Sequence, residues 1–206
     1  MRGFRGGAPG FSLVELAIVL VIVGLLMSLL AASANVQRVA EYNTLTNRFV
    51  LGWREAYEAY HAITGVSPVE ESDVELCEED LLTRFASAGI DPPPGRARGA
   101  EHLQFYLAPD GLQRQIEVCF MFVDDWFVGL DEDELPVHEG VHVLRLSNLS
   151  SDLARKLDAA IDGYADAAWG DFRSQDAHAD EVPASWPDLY VDDELASVNT
   201  YWRMTH

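Results

Sequence analysis

A chain of 206 residues with 49% apolar side chains holds enough material for one packed domain plus a small extra element, which excludes a long disordered polymer. Its 34 acids against 14 bases leave a formal net charge of -20, with the acids spread along everything after Ser67 rather than gathered in one tail. Binding of nucleic acid through a general basic surface is disfavoured, because neutralising phosphates takes a concentrated Lys/Arg patch. The acidity reads as a solvated, self-repelling surface, with oxygen-rich cation sites as the second reading.

Residues 1–10 carry Arg2 and Arg5 among glycines and a proline that resist helix formation, and they read as a leader. From Phe11 the sequence runs FSLVELAIVLVIVGLLMSLLAASA, in which Glu15 is the sole charge before Arg38. A helix of that length and composition spans a bilayer. An ordinary secretory signal places its small-residue cleavage site after a shorter apolar stretch, whereas here Gly10 precedes the stretch. The order implies a leader that is removed and an apolar helix that is kept. Arg2 and Arg5 place the N-terminal flank in the cytoplasm and the C-terminal domain across the membrane.

Gly10-Phe11-Ser12-Leu13-Val14-Glu15-Leu16, followed by an unbroken apolar run, resembles the class III leader of type IV prepilins. The resemblance is strongest over residues 1–64. It implies that a prepilin peptidase cuts after Gly10 and methylates Phe11, and that Glu15, fifth in the mature chain, serves assembly. It further implies an α+β fold, in which a long N-terminal helix, membrane-spanning in its first half, packs on a small antiparallel sheet. The partners it implies are other pilin or pseudopilin subunits, the peptidase and an inner-membrane assembly platform. The expected location is a single-pass inner-membrane protein with a periplasmic C-terminal domain, and after assembly a filament that can reach the cell surface.

Glu15 also makes sense without the family. A carboxylate inside an apolar segment is costly in lipid, and no basic residue lies near it in the mature chain. The cation at that depth is an α-amine at Phe11, which helix geometry aims poorly at the glutamate of its own chain. The amine of a neighbouring subunit reaches it, which sets the register between stacked helices. The competing reading is a glutamate that snorkels to the interface or sits protonated and inert.

Beyond the membrane segment Val36, Val39, Tyr42, Thr46, Phe49, Val50, Trp53, Ala56, Tyr57, Tyr60 and Ile63 recur at three- and four-residue spacing. Gly65 stands as a helix stop and Pro68 forbids continuation, so one helix is predicted from about Phe11 to Thr64. The expected divisions are 1–10 leader, 11–35 membrane half, 36–64 amphipathic half and 65–206 globular domain. Many pilins carry a proline about where this chain has Ala31 and Ala32, so one mechanism for local melting is missing.

In the globular part, a short helix is predicted over Glu78 to Ala88 with Gly89 as its stop. A hairpin is predicted over His102–Leu107 and Gln113–Val123 across Pro109-Asp110-Gly111. Further strands are expected over Trp126–Leu130 and Gly140–Leu146, a helix from Ser150 or Ser151 to Asp162, and a strand at Ser197–Trp202. The role of residues 174–206 stays open between packing on the domain and contacting a neighbour. If the domain is exported, a disulfide is the favoured state of Cys77 and Cys119, stabilising by about 4 kcal/mol; otherwise both are buried thiols.

Two motifs suggest other chemistry. Residues 138–142 spell His-Glu-Gly-Val-His, and on a helix His138 and His142 would hold zinc with Glu139 as general base. Pro136, the central Gly140 and the strand-like Val141–Leu146 argue against that helix. Asp158, Asp162, Asp166 and Asp171 form an oxygen-rich cluster of the kind that binds calcium, with precedent in major pseudopilins, although solvated acids are the first reading. The sequence therefore points to a structural subunit rather than an enzyme, minor rather than abundant given its charge. Pilus, type II secretion pseudopilus and DNA-uptake filament share this physics, and a membrane-anchored periplasmic zinc hydrolase is the alternative.

Overall fold

The computed structural model describes residues 12–71, 75–188, 190–191 and 194–205, without the side chains at 29–35, 190, 191 and 194. The proposed cleavage point at Gly10 and Phe11 lies outside the described residues. Contacts divide the chain after Ala40 into two units.

The first unit is carried by helix α1, Leu13–Thr44. Leu, Ile, Val and Ala on every side of a helix leave no polar face to hold against water. Every large apolar side chain from Leu13 to Met27 is accordingly between 44% and 86% exposed. Among the described residues no helix is long and apolar enough to cross a membrane.

The second unit, from Glu41 onward, is an α+β domain. Where the sequence predicts an unbroken α-helix to Thr64, a π-helical turn, Leu45–Val50, precedes helix α2, Leu51–Thr64. Thr44, Val50 and Leu51 all keep right-handed helical dihedrals, so the turn widens the helix without breaking it. Leu45, Thr46, Phe49 and Val50 are thereby buried, and the Thr46 hydroxyl donates to the Tyr42 carbonyl at 2.8 Å. Gly65 ends α2 with φ of 75°, a conformation that glycine adopts at no steric cost. Helix α3, Glu78–Ser87, places three acids in its first turn, where they complement the helix dipole.

Strands β1, Leu103–Leu107, and β2, Gln113–Leu130, form the expected hairpin, with Asp110 Oδ1 accepting from the Leu112 amide inside the turn. β2 is longer than its sequence suggests. Two register irregularities, at Val123/Trp126 and Phe127/Gly129, carry it past Asp124-Asp125 and absorb the segment expected as a separate strand. Strand β3, Pro136–Ser150, pairs with it, and helix α4, Ser151–Ile161, follows. Strand β4 is Phe172–Ser174, β5 and β6 form a small hairpin of Tyr190–Val191 and Glu194–Leu195, and β7 is Ser197–Arg203. The main sheet is antiparallel in the order β1-β2-β3-β7-β4, so the last strand of the chain sits inside the sheet rather than at its edge.

Strand alternation sorts the side chains. Val118, Phe120, Leu144, Leu146 and Trp202 are buried in the main core with Trp53, Tyr57 and Phe85 from the helices. Phe120 stacks on Tyr57 and Phe85 at centroid distances of 5.4 and 5.6 Å, and Trp53 meets Phe85 edge-on at 5.7 Å. Val123, Trp126, Val143 and Tyr201 form a second, smaller cluster.

Leu76 pairs with Phe120, which brings Cys77 opposite Cys119, and the two form a disulfide with a Cα separation of 4.5 Å. Since Cys77 caps α3, the bridge fastens the start of that helix to β2.

Candidate functional site

Glu15 lies in the first turn of α1. Its Oε2 accepts from the Ser12 amide at 3.2 Å, while Ser12 Oγ accepts from the Val14 amide at 3.3 Å. Glu15 thus supplies the acid's half of a capping box, while Ser12 Oγ caps the amide one residue earlier, at Val14. The sequence finds no basic residue near Glu15, and the partner the fold supplies within the chain is an amide, not a cation. Magnitude decides what the cap can do. A cap contributes about 1 kcal/mol, whereas an acid within the hydrocarbon costs about 2.5 kcal/mol or more. An amide donor therefore orients the carboxylate without neutralising it.

The His138-Glu139-His142 segment lies on β3, not on a helix. Residues four apart on a strand stand about 13 Å apart, more than twice the spacing on a helix. Each ring also has its own partner. His138 Nε2 donates to the Ala179 carbonyl at 3.3 Å, and His142 Nε2 donates to the Val69 carbonyl at 3.0 Å. Burial lowers the His142 pKa, against the pull of the Val69 carbonyl and Glu71, and keeps the ring neutral. Gly140, at the centre of the motif, is where the Phe122 ring crosses the strand; a Cβ there would collide with it. On β3 the motif lacks the helical facing that the zinc reading requires.

The sequence reads Asp158, Asp162, Asp166 and Asp171 as solvated acids first and calcium ligands second; in the fold each carboxylate has a partner within the protein. Asp158 is fully buried, and its Oδ2 accepts from the Asp166 amide and from Trp186 Nε1, both at 2.7 Å. Asp162 Oδ2 accepts from the Phe172 amide at 2.9 Å and occupies the space a side chain at Gly170 would need. Asp166 Oδ1 accepts from the amides of Ala168, Trp169 and Ala184. Asp171 pairs with Arg203, whose Nε donates at 2.8 Å. Three of these carboxylates fasten the loop after α4 by its backbone amides, and the fourth holds β7. Burial pushes the Asp158 carboxyl up to about 7; Trp186 and the Asp166 amide oppose this, and the neighbouring Asp162 adds to it.

Among the described residues, the ligand atoms of Glu75, Cys77 and Cys119 are the group close enough to share a metal. Both sulfurs are in the disulfide, and the Arg145 guanidinium lies 3.3 Å from Cys119 Sγ and 2.6 Å from Glu75. A cation there would meet a fixed positive charge, so the group is an ion pair on a disulfide rather than a metal centre.

Sequence reading notes the run Gly170-Asp171-Phe172-Arg173 only as part of a resemblance and gives Arg173 no role of its own. It lies on the three-residue strand β4, too short for any periodicity to mark. It is 6% exposed, and its guanidinium lies 4.2 Å over the Trp126 ring. Nε donates to the Gly170 carbonyl, and Nη1 to the carbonyls of Phe127 and His178, each at 2.8 Å. Phe127–Leu130, Trp169, Gly170, Arg173 and Glu181 line a cavity of about 460 Å³ beside it.

No family model, curated protein or solved structure matches the chain.

Proposed function

We propose that this chain is a structural subunit, minor rather than abundant, of a type IV pilus or type II secretion pseudopilus. On this reading it is cut by a prepilin peptidase after Gly10 and assembled through the helix that begins at Phe11, and it is not an enzyme. The observation that carries the reading is a helix apolar on all sides, with one acid in its first turn, placed directly after Gly-Phe-Ser. Apolar side chains exposed all round have no stable place in water and call for lipid or copies of the same helix.

The sequence run 11–35 supplies the proposed membrane span, and Arg2 and Arg5 set its direction with the domain in the periplasm. The Cys77–Cys119 disulfide supports export, because such bonds persist in oxidising compartments. The Ser12 amide holds Glu15 at the end of the helix, near where an incoming subunit's amine would arrive. A net charge of -20 makes close packing of many identical domains costly, which favours a minor subunit.

Mass spectrometry of the N-terminus, on protein from cells with an active prepilin peptidase, tests this directly. A chain beginning at N-methylated Phe11 is expected. A retained Met1 would count decisively against the proposal.

A further inference from the structure

Arg173 is a cation held among neutral partners. Its guanidinium meets three carbonyls and the face of Trp126, and among the described residues it has no ion pair. The nearby Asp171 is bound to Arg203, and Asp162 to the Phe172 amide. Burial lowers the Arg173 pKa to about 10, with Arg203 adding to the effect and Asp171, Asp162 and Tyr164 opposing it, none of them in an ion pair with it. Nε and Nη1 are engaged, Nη2 has no hydrogen-bond partner among the described residues, and the guanidinium borders the cavity.

The rim of that cavity is apolar and exposed. Val128, Leu130 and Trp169 line it at 38%, 58% and 40% exposure. Leu135 is exposed across the turn closed by the Asp131 amide on the Leu135 carbonyl, and exposed Val182 follows Glu181. Trp and Arg beside a pocket are the residue types that anchor protein interfaces. We propose that this cavity is a docking site for a segment of a partner protein that presents one carboxylate beside a large apolar side chain. The carboxylate pairs with Arg173, and the apolar side chain covers Trp169 and Leu130.

Charge selects that chemistry. One guanidinium matches one carboxylate, while Glu181 at the cavity and the acidic surface as a whole oppose a phosphate dianion. Extent selects a polypeptide over a small acid: an acid filling the cavity would leave Val182 and Leu135 uncovered. The inference rests on the globular unit alone and stands whether or not the chain assembles into a filament.

The test is selection of a random heptapeptide display library on the full chain in detergent micelles, followed by affinity measurement with the enriched peptides. Enrichment of sequences with Asp or Glu next to Leu, Phe or Trp is expected. Arg173→Gln should weaken those peptides by about tenfold or more, since a charge-assisted hydrogen bond is lost. Trp169 is 40% exposed and outside both core clusters, and Trp169→Ser should weaken them by about tenfold as well. Glu181→Gln should tighten them. Enrichment without acidic residues, or affinities that Trp169→Ser leaves unchanged, overturns the proposal. So does N-acetylphenylalaninate binding as tightly as the peptides, which would make this a small-molecule site. Self-association abolished by Trp169→Ser would assign the surface to a second copy and overturn it equally.

Discussion

Residues 13–27 and residues 42–60 are both helical and both rich in large apolar side chains, yet they solve opposite problems. The first stretch exposes every large apolar side chain it has, whereas the second buries Tyr42, Phe49, Val50, Trp53 and Tyr57 against a sheet. The difference lies in periodicity. Apolar residues all round a helix cannot be covered by one domain and demand an environment, while a stripe can be covered by one sheet face. One kind of helix is finished by folding; the other, on the proposed function, is finished by assembly.

The comparison breaks most readily in the core. Phe85→Ala should lower unfolding free energy by about 3–5 kcal/mol in a denaturant titration, because the cavity opens beneath Trp53, Tyr60 and Phe120. Leu20→Ala should leave that titration unchanged, since Leu20 is 63% exposed and belongs to the first unit. A domain stability that responds equally to both would erase the distinction.

Replacing both Cys77 and Cys119 by serine opens a loop spanning a sequence separation of 42 residues and should cost about 4 kcal/mol, read in the same titration. The pH dependence comes next in size. With its carboxyl raised to about 7 from 3.8, folded Asp158 keeps a proton that the unfolded chain releases across that interval. Its contribution to stability therefore falls as pH rises from about 4 to about 7 and is a constant penalty above, of order a few kcal/mol. Asp158→Asn retains an acceptor for Trp186 and the Asp166 amide but cannot ionise, so its stability curve should flatten in that window. Gly140→Ala should cost about 1–3 kcal/mol by driving a Cβ into the Phe122 ring, with no change in metal content by elemental analysis.

Much of the fold was legible wherever one local signal decided it. Gly65 and Gly89 stop α2 and α3 with positive φ, and Pro109-Asp110-Gly111 turns β1 into β2. What stayed hidden depends on residues far apart in the chain. β7 slots between β3 and β4 through pairs such as Leu144 with Trp202, and nothing near residue 202 announces them. β2 runs past Asp124-Asp125 because irregular pairing with β3 tolerates two charged residues there. The π-helical turn leaves the hydrophobic spacing nearly unchanged and so leaves no mark on it. In the sites the same rule holds. Glu15 stood out as one charge in an apolar run, but its cap on Ser12 needed the helix end in place. The aspartates looked like cation ligands because a sequence shows their oxygens and not the loop amides that use them.

The central claim is that Glu15 acts through its charge on another subunit's amine, and not merely as a cap on its own helix. Glu15→Gln separates the two, since it keeps an acceptor for the Ser12 amide and removes the charge. Incorporation into filaments should be measured beside Glu15→Ala in cells with an active prepilin peptidase. The account predicts that both substitutions abolish incorporation. Filaments that take up the Gln variant as readily as the unaltered protein, while rejecting Ala, would contradict it.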